Sequence, residues 1–173
     1  MDAAPHALRP SLETELRHIH DMVLEMGEMV NDAIARATEA LVTRDIALAT
    51  DVLHGDQGIN ARQVEVHQNC LFVILMQAPV AHDLREVLGL LHMSDELERM
   101  GDHCVNVARV ARDISGLPPL RSPIDIPVLA RVCADQVRDM LSAVVGRDIE
   151  RARDIAARDD RVDRIYHRIV DAL

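Results

Sequence analysis

The feature that most constrains this chain is a run of apolar residues at alternating steps of four and three: Leu12, Leu16, Ile19, Val23, Met26, Val30, Ala33, Ala37 and Ala40. An α-helix turns once every 3.6 residues, so this spacing lines the side chains along one stripe. The run predicts a first helix over residues 11–43, roughly 50 Å long. Ser11 is placed to cap it, and Glu13 and Glu15 suit its positive end.

A stripe of that length needs partner helices, and the rest of the chain supplies them. Arg44-Asp45 reads as a tight turn, followed by a second helix over residues 46–77 with the seam Ala49, Val52, Asp56, Ile59, Gln63, Val66, Cys70 and Val73. Gly55 and Gly58 lie inside it and mark a weak point. Pro79 is placed to start a third helix running to Ser115, where its missing N–H costs nothing. The seam of that helix reads Leu84, Leu88, Leu91, Asp95, Glu98, Asp102, Val105. Gly116-Leu117-Pro118-Pro119 stops it, and the stretch to Pro127 holds four prolines, as a linker would. A fourth helix follows to Gly146, then a fifth from Asp148 with the seam Ala152, Ile155, Asp159, Val162, Tyr166, Ile169 and Leu173. No window reads as a strand, so the fold class is all-α.

The chain also repeats itself. A shift of 103 residues places Arg44-Asp45-Ile46 on Arg147-Asp148-Ile149, Asp56 on Asp159, Ile59 on Val162 and Val66 on Ile169. A period of this length implies duplicated three-helix units, spectrin-repeat-like, rather than a solenoid of short repeats. The expected organisation is a first three-helix repeat over 11–115, a Pro-rich linker over 116–126, and a partial second repeat of two helices over 127–173 that lacks its last helix.

Charge and composition exclude several functions. The formal net charge is −10 and all 19 basic residues are Arg. That opposes a broad surface for nucleic acid or anionic membrane. Without Lys, a Walker-type phosphate lysine and a Schiff-base lysine are both excluded. Phe72 and Tyr166 are the only aromatics, too few for base stacking. Cys70, Cys104 and Cys133 form no CxxC pair, so reduced thiols are expected. Residues 1–10 hold no apolar core of a signal peptide, and the longest apolar run, Cys70 to Met76, is far short of a membrane span. The expectation is a cytoplasmic protein with no nucleic-acid partner and no membrane insertion.

The third helix carries the chemistry. Asp95, Glu98 and Asp102 lie within about 60° of arc on its seam. Uncompensated, they repel one another and lose hydration beside packed surface. If the second and third helices fold back at Pro79, positions whose numbers add to about 158 lie level. Asp56 then faces Asp102, and Asn60 faces Glu98. These oxygen donors at one height suit a hard cation such as Mg²⁺, Mn²⁺ or Fe³⁺, which would relieve the repulsion. The competing reading is a solvated acidic face, with Arg99 and Arg109 near enough to neutralise part of it. Asp83 and Arg85, early in the third helix, are candidates to face a partner, against Asp83 serving only the helix dipole. His103 is expected exposed and Cys104 in the core.

At these residues the sequence resembles the PhoU family of phosphate-signalling regulators. The resemblance rests on Gln77-Ala78-Pro79-Val80-Ala81-His82-Asp83-Leu84-Arg85, on Glu98-Arg99-Met100-Gly101-Asp102, on Asn106-Val107-Ala108, and on Met26-Gly27-Glu28-Met29-Val30. It implies two tandem PhoU-like bundles and a cytoplasmic negative regulator of phosphate uptake, not an enzyme. It also implies an adaptor between the ATPase of a phosphate ABC transporter and a phosphate sensor histidine kinase, often as a homodimer. Family members carry metal clusters on an E/D-xxx-D motif. Carried over, the motif falls on Glu98 and Asp102, with related acid pairs at Asp56 and Asn60 and at Asp159 and Asp163; Asn60 departs from the acidic pattern. The implied cofactor is iron, manganese, magnesium or zinc. Two other readings stay open. One is an all-α Mg²⁺-dependent nucleotide pyrophosphohydrolase built on Glu25 and Glu28. The other is a structural helical interaction protein.

Overall fold

A computed structural model describes residues 9–117 and 126–171. They form six helices: α1 (Arg9–Thr43), α2 (Ile46–Gln77), α3 (His82–Asp113), α4 (Ile126–Val145), α5 (Ile149–Ala156) and α6 (Asp159–Asp171). No strand occurs among the described residues. Helices α1, α2 and α3 pack on one another as a three-helix bundle; α4 lies against α1, and α5 and α6 lie on α4. Of the expected linker, residues 118–125 lie outside the described residues, as do the first eight residues and the last two.

The α1 stripe is the axis of the core. Leu16, Ile19, Val23, Met26, Val30, Ala37 and Ala40 are all buried, while Leu12 and Ala33 are partly so. They meet Ile59, Val66, Cys70 and Val73 of α2 and Val87, Leu90 and Leu97 of α3. Each large side chain sealed here contributes about 1.5–3 kcal/mol. Towards the α1–α2 turn the core changes to Ala37, Ala40, Ala49, Ala108 and Ala111, whose small side chains let the three helices close together. Ser94, between Leu90 and Leu97 on α3, is the one buried polar or charged residue among the described residues, and its hydroxyl donates to Leu91 O at 2.7 Å.

Three readings need correction. Helix α1 begins at Arg9, so Ser11 lies inside the first turn and does not precede it. Pro79 does not start α3; it is buried in the connection between Ala78 and Ala81, which both take left-handed φ, and the helix starts at His82. The core seam of α3 is Val87, Leu90, Leu97, Cys104 and Ala108; of the expected seam Val105 is buried and Leu91 packs at the core's edge, while Leu84 and Leu88 are not buried. The stripe read from the sequence is displaced by one residue, about 100° of arc, from the buried one, and Leu88 is 49% exposed. Both stripes carry leucines, and apolar spacing alone does not choose between them. His103 is exposed and Cys104 buried, as expected.

The repeat is visible in backbone geometry. Arg44 and Arg147 both take left-handed φ, at 58° and 50°. The next residue caps a helix each time: Asp45 accepts from Leu48 N at 3.0 Å, and Asp148 accepts from Arg151 N at 2.9 Å. Asp45 N and Asp148 N donate back to Ala40 O and Ala143 O. The two turns are the same device 103 residues apart.

The helix after that turn differs between the two copies. Helix α2 runs unbroken through Gly55 and Gly58, whereas the expected fifth helix breaks at Ala157-Arg158 into α5 and α6. The break corresponds by the repeat to His54-Gly55, so glycine is not the deciding factor. Helix α2 is held between α1 and α3, and tertiary packing keeps a helix intact where propensity would not. Helices α5 and α6 pack mainly on α4 and are not held between two long helices as α2 is, and Asp159 and Asp160 supply a fresh acidic start. Gly27 marks where α4 seats on α1: a methyl group there would overlap Leu141 Cδ1.

Candidate functional site

The site is built by the approach of α2 to α3. A methyl group at Gly101 would stand 3.1 Å from Ile59 Cδ1 and 3.5 Å from Asp56 Oδ1. Glycine at that point of Glu98-Arg99-Met100-Gly101-Asp102 lets α2 lie close and brings Asp56 level with the acids of α3. The register agrees with the hairpin reading. Gln63 Nε2 donates to Asp95 Oδ1 at 2.9 Å, and Cys70 Sγ reaches Val87 O at 3.8 Å.

Two oxygens in this cleft have no donor. Asn60 Nδ2 donates to Asp56 Oδ2 at 3.0 Å, which leaves Asp56 Oδ1 and Asn60 Oδ1 buried without a hydrogen-bond partner. A buried acceptor left unpaired costs about 1–3 kcal/mol. Beside them, Glu98 is half-buried and its carboxyl is pushed above the ordinary value, first by burial and then by the charges of Asp102, Asp56 and Asp95, against a weaker pull from Arg99. The arginines do not neutralise the stripe by pairing with it. Arg99 pairs with Glu96 at 2.9 Å and Arg109 bonds Asn106 at 2.9 Å.

Orphaned oxygens next to a strained carboxylate are a donor set for a hard cation. Asp56, Asn60, Glu98 and Asp102 are the residues that fit it. Among the described residues, however, Asp56, Glu98 and Asp102 do not close as a threesome to within 4.8 Å of one another. They stand around one level and need side-chain rotation to share an ion. Asp95 is turned aside, its Oδ1 held by Gln63 at 2.9 Å and by His67 Nε2 at 2.8 Å.

The remaining candidates lie elsewhere. Asp159 opens α6 and Asp163 follows one turn later; both are exposed, and neither belongs to a threesome of possible ligands among the described residues. Asp83 and Arg85 sit in the first turn of α3, where Asp83 N and Arg85 N bond Val80 O and Ala81 O. Next to them is an exposed apolar hairpin tip of Leu71, Leu75, Met76, Val80 and Leu88, with Leu75 70% and Val80 73% exposed.

One cluster was not read from the sequence. Glu86 of α3 accepts from His20 of α1 at 2.8 Å and from Arg147 of the α4–α5 turn at 2.8 and 3.0 Å. Burial tends to raise the Glu86 carboxyl, but these hydrogen bonds and charges outweigh it and hold the group below the ordinary carboxylate value. Glu86 stands four residues after His82, a local signal; its partners at 20 and 147 come from other elements, and no spacing announces them.

Comparison with known proteins places the chain. The PhoU domain family profile matches residues 23–111 and 126–173. The phosphate-specific transport system accessory protein PhoU homolog of Aquifex aeolicus is 32% identical over 155 residues, covering 90% of this chain and 70% of that protein. The accessory protein PhoU of Escherichia coli K12 is 31% identical over 159 residues, covering 92% of this chain and 66% of that one. The crystal structure of PhoU from Pseudomonas aeruginosa superposes with a TM-score of 0.85 at 28% identity, over 92% of this chain and 77% of that chain. The chain thus spans between two thirds and about three quarters of these relatives. A profile match over most of its length, relatives above 30% identity, and the shared helical architecture together show that the chain belongs to the PhoU family.

Proposed function

We propose that this chain is a cytoplasmic negative regulator of phosphate uptake and phosphate-starvation signalling, and that it acts as a metal-binding adaptor rather than an enzyme. The relatives are named accessory proteins of phosphate-specific transport. The observation that carries the metal part is the pair of orphaned buried oxygens, Asp56 Oδ1 and Asn60 Oδ1, level with the raised carboxyl of Glu98. A cation taken up by Asp56, Asn60, Glu98 and Asp102 would supply the missing positive charge and fix α2 against α3. Iron, manganese and magnesium suit this all-oxygen set better than zinc does. Asp159 and Asp163 would form a second, weaker site.

The adaptor part rests on the hairpin tip. Large apolar side chains clustered in water mark surface that a partner covers, and Asp83 and Arg85 border that patch. The partners would be the ATPase of a phosphate ABC transporter and a phosphate sensor histidine kinase, with the chain itself acting as a homodimer. No helix among the described residues is long and apolar enough to cross a membrane, which suits a protein that meets membrane complexes from one side. The pyrophosphohydrolase reading loses support, since Glu25 is held by Arg62 at 3.0 Å and no set of ligands converges on the Glu25–Glu28 face among the described residues.

A phosphate-starvation reporter in the source cell tests the reading. Loss of the chain should switch the reporter on in phosphate-replete medium, and the wild-type chain should switch it off again. A Glu98→Ala/Asp102→Ala chain should restore repression incompletely. A reporter indifferent to loss of the chain refutes the regulatory role.

A further inference from the structure

A second set of potential ligands lies at the start of α3, nine or more residues before the acid stripe on the same helix. His82 Nδ1 stands 3.9 Å from Asp83 Oδ1 and 3.8 Å from Glu86 Oε2. The three ligand atoms lie within 4.8 Å of one another, a convergence reached by no other set of three His, Cys, Asp or Glu among the described residues. Two ligands on one tetrahedral zinc-type ion stand about 3.4 Å apart. His82 Nδ1 is therefore within about half an ångström of that spacing from each carboxylate.

The surroundings fit such a site. One imidazole nitrogen with two carboxylates is a donor set for a borderline divalent metal, unlike the all-oxygen stripe. Outside the three, His20 Nε2 bonds Glu86 Oε1 at 2.8 Å, fixing the carboxylate so that Oε2 faces His82. Hydrogen bonds of this kind orient ligands in metal sites. The Glu86 side chain is only 11% exposed while His82 is 79% exposed, giving an anchored inner ligand and an outer one open to an arriving ion.

One group already competes for that place. Arg147 Nη2 lies 2.8 and 3.0 Å from the two Glu86 oxygens. Its guanidinium is largely in solvent, and it comes from the α4–α5 turn with left-handed φ. A cation bound at Glu86 Oε2 would meet Arg147 over the same lone pairs. We infer that His82, Asp83 and Glu86 form a divalent-metal site of the zinc type, and that metal binding there displaces Arg147 and frees the α4–α5 turn from α3. The site would then report metal to the contact between the first bundle and the helices that follow it.

The test uses the full chain carrying Glu98→Ala/Asp102→Ala, so that the acid stripe contributes nothing. Metal is first stripped with chelator, and Co²⁺ is titrated by calorimetry and by its visible absorption. The tightest-bound Co²⁺, one per chain, should show a nitrogen–oxygen spectrum, distinct from any weaker all-oxygen binding at Asp159 and Asp163. Adding His82→Ala should weaken binding by about tenfold or more, since loss of even outer-sphere partners costs 10- to 100-fold. His82 is so exposed that its removal leaves the bundle folded, which circular dichroism verifies. Adding Arg147→Gln instead should tighten binding several-fold by removing the competitor. No Co²⁺ uptake in the parent, affinity unmoved by His82→Ala, or affinity not tightened by Arg147→Gln each overturns the inference. Because the stripe is disabled throughout, none of these results bears on the metal site of the proposed function.

Discussion

Replacing Glu98 by Gln should stabilise the metal-free protein. The change keeps the size of the side chain and removes one charge, so it opens no cavity. Glu98 faces Asp102 one turn ahead and Asp95 one turn behind on α3, and Asp56 across on α2, all of which raise its carboxyl. A like-charge neighbour one turn away costs about 0.2–0.5 kcal/mol. Three such neighbours, with the burial of the ionised group added, bring the relief to roughly 1 kcal/mol. For a chain of 173 residues that is a rise in Tm of about 2–4 °C.

The sign follows from the raised carboxyl. In the folded state the ionised form is disfavoured, so the penalty is present at neutral pH. It fades as pH falls and Glu98 takes up its proton. The gain from Glu98→Gln should therefore be largest near pH 7.5, and vanish below about pH 4, where an unperturbed Glu is protonated as well. It should shrink as salt rises from 0.05 to 0.5 M, because exposed charges are screened over a few ångströms at the higher value. The assay is thermal unfolding by circular dichroism after chelator treatment, in low salt, at pH 7.5 and pH 4. Added Mn²⁺ should then raise the Tm of wild type more than that of the variant. An unchanged or lowered Tm for metal-free Glu98→Gln at pH 7.5 would refute the reasoning, since the acids would not be repelling one another.

Three further outcomes follow from the packing. Gly55→Ala should stabilise by about 0.5–1 kcal/mol, because the position is open and alanine is the better helix former, while Gly101→Ala should destabilise by about 1–2 kcal/mol by pressing on Ile59 and Asp56; chemical denaturation of both variants gives the comparison. Asp45→Ala should cost about 1 kcal/mol through loss of the bond to Leu48 N, as read in urea unfolding. Glu86 has a depressed carboxyl, so the stability it contributes is present above the ordinary Glu value and is lost as pH falls through its own lower one. The wild-type minus Glu86→Gln difference in stability should therefore hold from pH 7 to 5 and collapse towards pH 3, and a difference constant down to pH 3 would contradict the pairing.

Much of this architecture was legible because it is periodic. The stripe from Leu16 to Ala40 admits one solution, and the burial follows it. The α2–α3 register was legible as well, because a hairpin of two straight helices fixes which positions lie level; Gln63 meeting Asp95 is the direct result. What escaped was whatever depends on a choice between equal local signals or on distant elements. Leu84, Leu88 and Leu91 form as good a stripe as Val87 and Leu90, and only the third dimension selects the second. The break between α5 and α6 reflects packing that α2 has and they lack. The place of Asp95 on the stripe points to a metal ligand, yet it is held by Gln63 and His67 across the hairpin. Arg147 reaches Glu86 across 61 residues, and nothing in its own neighbourhood signals that bond.

The central claim is that Asp56, Asn60, Glu98 and Asp102 hold a metal ion. Elemental analysis of protein purified without chelator measures this most directly, comparing wild type with the Glu98→Ala/Asp102→Ala chain after both are shown to be folded. Wild type should carry bound iron, manganese or magnesium, and the double variant should lose that metal. Equal metal content in the two proteins, or none in wild type after incubation with these ions, would contradict it.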